Sequence, residues 1–413
     1  MAAFEEILKE IDAIPAIDIH SHIKASSPAA QSLTDIAYYH YIRTELKSAG
    51  VPADKIDIDN PSDADILPRL ERITNTTTYW CLSRILRDLY DSPPLHEADL
   101  ASLRGKIIKT ASDDCWTETV LDRANVSKVF ITADWSSGIP KKSDRLVPTL
   151  RVDSLVNEMH ISKNLDRLNE VSGLTVFEAG DAKKAIWAIF AKAAEAGVAG
   201  VSASFNPQVD FDEGDREGAD RILSLVLLGQ RPNREDRKTL RSWMMRCVLE
   251  QCAEYGMPFQ LMIGVKRPVA NNYAISAFDP AMVTGYAEMF ARHSNVRFDV
   301  FTSNETIAHE LVVVARNFRN VFLSGYWWYL MFPSHIRKLI RERIEMLPMS
   351  KSCGFFSDAY CVEWVYGKSR LVRRELAFVL AQMIEEGYLT QETALAVARH
   401  YLLENPKRMY GVE

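Results

Sequence analysis

The run Asp18-Ile19-His20-Ser21-His22 carries the sharpest chemical signal in the sequence. In a β-strand successive side chains alternate between faces, so Asp18, His20 and His22 share one side while Ile17 and Ile19 take the other. Cα atoms two positions apart in a strand are separated by about 7 Å. Two imidazoles so placed can both reach one divalent ion at about 2.0–2.1 Å. The plain alternative is chance, because the chain has nine histidines. A metal needs a further ligand, and Asp358 offers one. It follows the apolar run Phe355-Phe356-Ser357, where a carboxylate is expensive to bury unless paired or coordinated. An aspartate ahead of a helix also suits an N-cap, and the residues alone leave both readings open. Other chemistries find little support. No G-x-G fingerprint, Walker loop or G-x-S-x-G elbow occurs, and the six cysteines contain no C-x-x-C pair.

Positioning these groups requires strands, and eight short apolar runs qualify: 16–20, 128–132, 146–151, 200–204, 258–263, 296–301, 320–324 and 352–357. Most are followed by helical patterns, the clearest being 182–196, stopped by Gly197, and 240–255, stopped by Gly256. Strand and helix in alternation imply a parallel sheet, and eight such units imply an α/β fold of the (β/α)8 TIM-like barrel kind. The histidines then sit at the active-site end of the first strand. Barrel closure brings the last strand beside the first, so Asp358 can face His20 and His22.

The chain is read as one barrel over 1–413 with a helical insertion at 26–120 after the first strand. Helical patterns at 32–49, 66–73 and 79–90 would cap the barrel mouth. A smaller insertion at 207–239 opens on Asp210-Phe211-Asp212-Glu213-Gly214-Asp215, a solvated acidic loop that matches a calcium loop only superficially. The C-terminal part, 371–410, is helical.

Composition bounds the function classes. With 413 residues, 47% hydrophobic and 25% charged, the chain can bury a core deep enough for a catalytic pocket. A net charge of −6 argues against nucleic acid as partner. No run approaches the roughly 18 apolar residues of a membrane helix. The acidic amphipathic N-terminus lacks the features of a signal peptide. Together with cysteines read as reduced thiols, this gives a cytoplasmic expectation.

His-x-His after the first strand with Asp after the eighth resembles the amidohydrolase superfamily, and the chain is more closely similar to uronate isomerases. His40-Tyr41, followed by Gly50-Val51, resembles that family's catalytic His-Tyr segment. Arg151 after the third strand resembles its substrate-carboxylate arginine. Ser324-Gly325-Tyr326-Trp327-Trp328 resembles its S-G-x-W-W run, and Asn405 to Tyr410 its terminus. The resemblance implies aldose–ketose isomerisation of a hexuronate such as glucuronate or galacturonate. It implies one divalent metal ion, zinc or manganese, on His20, His22 and Asp358. Asp358 or a metal-held hydroxide would move the proton, while His40 and Tyr41 assist ring opening and proton transfer. Arg151 would clamp the sugar acid's carboxylate, with Trp327, Trp328 and Tyr360 in the substrate pocket. The family forms homo-oligomers, which sets the same expectation here.

Two departures stand out. Family members usually have Asp-Ser-Arg after strand eight, where this chain has Asp358-Ala359-Tyr360. They tend to carry His in the fifth-strand segment, where this chain has Met262. Lys266 and Arg267 just beyond are candidates to replace the missing cation. The alternative expectation is therefore a metal-dependent hydrolase or decarboxylase acting on a small carboxylated substrate.

Overall fold

The computed structural model describes residues 2–59, 61–270 and 273–413. Among these residues the strands are β1 (Ala16–Ser21), β2 (Val126–Asp134), β3 (Leu146–Arg151), β4 (Gly200–Ser204), β5 (Phe259–Ile263), β6 (Val265–Lys266), β7 (Ile275–Ser276), β8 (Phe298–Thr302) and β9 (Val321–Leu323). Seven follow the sheet order β1-β2-β3-β4-β5-β8-β9, with β6 and β7 a separate antiparallel pair. The registers described along the large sheet are parallel. Every residue of β1, β5 and β8 is buried. Parallel strands are covered on both faces, so polar residues in them, such as Asp18, His20, Ser21, Gln260 and Asp299, are buried as well.

Residues 352–357, expected as an eighth strand, form no ladder. Near their start Gly325 N–H donates to the Cys353 carbonyl (2.8 Å) and Cys353 N–H donates to Ser324 Oγ (3.1 Å). At their end Asp358 N–H donates to the His20 carbonyl (3.0 Å), and His22 N–H donates to that of Ala359 (2.7 Å). Between these, Ser357 N–H is directed to the Asp18 carboxylate (2.9 Å) instead of a neighbouring carbonyl. Asp358 then leaves the extended region altogether, with φ of 55°. A side-chain acceptor and a left-handed residue interrupt what the apolar pattern alone would have made a strand.

The chain divides into two compact units. The first comprises Met1–Ile131, Phe332–Arg337 and Phe355–Ala398. Its axis is the long helix Val362–Glu385, which packs against helices Ala2–Ala13, Thr77–Tyr90 and Trp116–Ala124. Two buried charges tie these elements together. Glu363 accepts from Ala30 N–H, Tyr90 Oη and Trp116 Nε1 at 2.9–3.0 Å. Arg373 donates to the carbonyls of Ile11, Ile14 and Asn125 at 2.6–2.9 Å. The span expected as one helix at 32–49 is two, Leu33–Ala37 and His40–Ser48. Tyr39 breaks them at φ −50°, ψ 145°.

The second unit comprises Thr132–Met331, Lys338–Gly354 and Arg399–Glu413. Its core joins residues of β3, β4, β5, β8 and β9 with the apolar faces of helices such as Ala179–Glu195 and Arg234–Glu254. The latter begins six residues before the expected 240, because Asn233 and Asp236 form a reciprocal capping box. Asp210, in the acidic loop, pairs with Lys238 (2.8 Å) and Arg241 (3.0 Å). Among the described residues no helix is long and apolar enough to cross a membrane.

Candidate active site

The first unit brings six of the expected site residues together: His20, His22, His40, Tyr41, Asp358 and Tyr360. β1 fixes the two histidines. His20 is fully buried, and its backbone N–H is held by Asp18 Oδ1 (3.3 Å). The side chain of Asp358 lies 3.2 Å from His22 Nε2 and 3.9 Å from His20 Nε2, both measured from Oδ1. Its other oxygen, Oδ2, accepts from Tyr41 Oη (3.1 Å) and lies 4.0 Å from His40 Nε2. The N-cap of helix Val362–Glu385 is Cys361, which removes the capping reading of Asp358.

The donor atoms of His20, His22 and Asp358 all lie within 4.8 Å of one another. Ligands at about 2.1 Å from one ion with tetrahedral angles are about 3.4 Å apart, so this spacing fits a shared divalent cation. Two imidazoles and one carboxylate are also a donor set that zinc and manganese accept. The trio is therefore a candidate metal site.

Electrostatics separates the two aspartates of this cluster. Burial pushes the Asp18 carboxyl up to about 7, against the hydrogen bonds from Ser357 and His20 that lower it. Burial acts on Asp358 in the same direction, but the hydrogen bond from His22 and the charges of His22, His40 and His20 outweigh it. They hold Asp358 well below the usual carboxylate range. The buried ligand candidate is thus ionised at neutral pH.

A cavity of about 380 Å³ opens beside the cluster, lined by His22, Lys24, Gln31, Tyr39, His40 and Tyr360 among others. That volume falls in the range of small-molecule sites. Tyr360 is 53% exposed, and its ring centroid lies 5.1 Å from that of His22 and 5.3 Å from that of His40. The segment between β1 and β2 supplies Tyr38, Tyr39 and His40 to the cavity's aromatic wall, and Tyr360 supplies the rest.

The remaining expected residues belong to the second unit. Arg151 grips Asp153 with its planar fork, Nε to Oδ2 at 2.7 Å and Nη2 to Oδ1 at 3.1 Å. Trp327 is buried, and its ring meets that of Trp328 edge-on at 6.0 Å. Arg267 lies over the Trp328 ring at 5.3 Å. Met262 is buried in β5. Asp134 at the end of β2 accepts from the Ser136 N–H (2.9 Å) and hydroxyl (2.7 Å), closing a local turn.

Two residues of the cluster had not been singled out from the sequence. Tyr39 donates its hydroxyl to the Asp358 carbonyl (2.7 Å). Lys368 is buried, its ammonium 4.3 Å from the centre of the Tyr41 ring. A signal for the lysine was present: it interrupts the apolar stripe of Val365, Leu371 and Val372 in a helix buried on most sides.

The fold is α/β of the TIM-like class that uronate isomerases also adopt, and its site holds a candidate metal trio. The chain superposes on uronate isomerase from Thermotoga maritima with a TM-score of 0.89, at 16% identity, covering 99% of this chain and 97% of that one. Glucuronate isomerase from Caulobacter crescentus gives 0.87, at 16% identity and 99% and 94% coverage. In sequence, the chain is similar to a uronate isomerase of Thermotoga neapolitana, 19% identical over 98% of this chain and 96% of the relative. A uronate isomerase of Cutibacterium acnes aligns over 121 residues, 29% of this chain and 26% of its own length, at 22% identity. No family profile matches the chain.

Proposed function

We propose that the protein interconverts the aldose and ketose forms of a hexuronate, with His20, His22 and Asp358 holding one divalent ion, zinc or manganese. The observation that carries this reading is the convergence of the two imidazoles on the Asp358 carboxylate, which Tyr41 also grips. Similarity to uronate isomerases along nearly the whole chain supports the choice of reaction. Such an ion, when bound, polarises substrate oxygens and lowers the barrier to an enediolate.

The rest of the chemistry is proton traffic. The C-2 proton leaves and one arrives at C-1, while the C-1 oxygen gains a proton and the C-2 hydroxyl loses one. No water or oxidant is consumed. Tyr41 Oη is a donor already aimed into the cluster, and His40, with a third of its side chain exposed at the cavity, can take or return a proton at Nε2. Asp358, kept ionised by its histidine neighbours, is suited to holding charge and to accepting a proton only fleetingly. Tyr360 offers the sugar an exposed aromatic face. By the resemblance, Arg151 would bind the substrate carboxylate, exchanging Asp153 for it in the same bidentate geometry.

The test is proton NMR of metal-reconstituted protein with D-glucuronate and D-galacturonate in D2O. Ketose formation with loss of the C-2 proton, abolished by His20→Ala, is the expected result. Neither ketose nor C-2 exchange, with the metal confirmed bound, would sink the isomerase reading in favour of hydrolysis or decarboxylation of a small carboxylated substrate.

A further inference from the structure

Lys368 is a buried cation that the proposed reaction has not used. It sits in helix Val362–Glu385, only 2% exposed. Its ammonium faces the ring of Tyr41 at 4.3 Å and that of Tyr39 at 5.5 Å. Both rings end in hydroxyls that grip Asp358, Tyr41 at the carboxylate and Tyr39 at the backbone carbonyl. The titratable groups that act on the ammonium are Cys81, Asp358, Asp18 and Glu45. Three of them are acids belonging to β1, to helix His40–Ser48 and to the segment ahead of helix Val362–Glu385.

A lysine is seldom fully buried without compensation. Burial pulls its pKa down, and those acids pull it back. What the ammonium receives in return for lost water is the negative face of two tyrosine rings, an attraction that strengthens when the pair is desolvated. The contact is mutual. The charge fixes the position of each ring, and each ring fixes one end of Asp358, a residue whose left-handed backbone gives it no strand ladder to rest on.

We infer that Lys368 is a positioning residue of the site, holding the Tyr41 and Tyr39 rings so that the Tyr41 hydroxyl stays aimed at the cluster, while its charge tempers the acidic cluster from the buried side. This rests on the isomerase reading for the consequence on turnover, though not for the consequence on metal binding. The two consequences have opposite signs. Removing the ammonium deepens the negative potential around Asp358 and favours a dication. Releasing Tyr41 misplaces the hydroxyl that the reaction needs.

The experiment compares Lys368→Met, Lys368→Gln and Lys368→Arg with the parent protein. Zinc and manganese dissociation constants are read by competition with a chromophoric chelator, and kcat and KM are read on a hexuronate. The neutral variants should bind metal about threefold to tenfold more tightly. They should also lose about 10- to 100-fold in kcat, with KM changed by less than about threefold. Lys368→Arg should return both quantities most of the way to the parent values. Metal affinity and kcat equal to the parent in Lys368→Met or Lys368→Gln would overturn the inference. So would equal losses of melting temperature, metal affinity and kcat in all three variants, the mark of a role in packing alone. If the parent turns over no hexuronate, the isomerase reading fails by itself, and the metal affinities still decide the part played by Lys368.

Discussion

Two aspartates, one in each unit, are both buried, and their carboxyls are shifted in opposite directions. Asp358 in the first unit is surrounded by His20, His22 and His40, and is held ionised. Asp299 in β8 of the second unit accepts from Tyr410 Oη (2.5 Å), which in turn accepts from Gln260 Nε2 (2.9 Å). Burial pushes the Asp299 carboxyl up to about 6, only partly offset by its bonds from Ser324 and Tyr410 and by the charge of Arg343. The lesson is that depth does not make a site. A carboxylate among groups that can become cations keeps its charge and can bind a metal. A carboxylate bonded by hydroxyl groups, with a guanidinium as its cationic influence, is raised by burial and acts as a strut.

Four changes would break or sharpen that contrast. The largest effect belongs to Asp358→Asn. It should abolish metal retention and lower turnover by about a thousandfold or more, with the melting temperature little changed. Metal analysis and kinetics on the purified variant decide it, and a variant that keeps both would erase the distinction between the two aspartates.

Asp299→Asn should leave turnover intact and change the pH dependence of stability instead. The folded carboxyl keeps its proton up to about 6, against 3.8 ordinarily. Its contribution to stability is therefore full below the lower value and is lost as pH rises through the upper one. The loss across that window is about 3 kcal/mol. Urea denaturation of both proteins in steps across the window should show a falling difference between them, and parallel curves would refute the strut.

Tyr41→Phe is next. It removes one hydroxyl from Asp358 and should lower kcat by about 10- to 50-fold while the metal stays bound. Equal turnover would place the proton donor elsewhere. The smallest effect is expected of Arg151→Met, a rise of about tenfold in KM for hexuronates with kcat within about twofold. An unchanged KM would leave Arg151 as the partner of Asp153 and nothing more.

Much of this was legible in the sequence because it follows short periodicities. The alternation Asp18, His20, His22 survives into β1, and the apolar runs from 128 to 324 become strands of the expected order. Asp358 was found by its place after an apolar run, even though that run forms no ladder. What stayed hidden depends on distant partners. Nothing local tells Ser357 to give its N–H to Asp18. Nor does the pattern of 32–49 reveal that the helix must break at Tyr39 for its hydroxyl to meet the Asp358 carbonyl. The pairing of Arg151 with Asp153 was visible as an alternative, since the two are neighbours in sequence. The placement of Tyr360 against His22 and His40 was not visible.

The first unit is stitched from separated stretches of chain, and this sets a clock on its chemistry. Tyr41 and Asp358, bonded in the finished protein, are 317 residues apart. At about 5–20 residues per second of synthesis, the two histidines leave the ribosome about 17–68 s before the carboxylate that completes their trio. On the metal-site reading proposed above, an ion met in that interval would find two of its three donors, and the full trio would exist only once Asp358 has arrived.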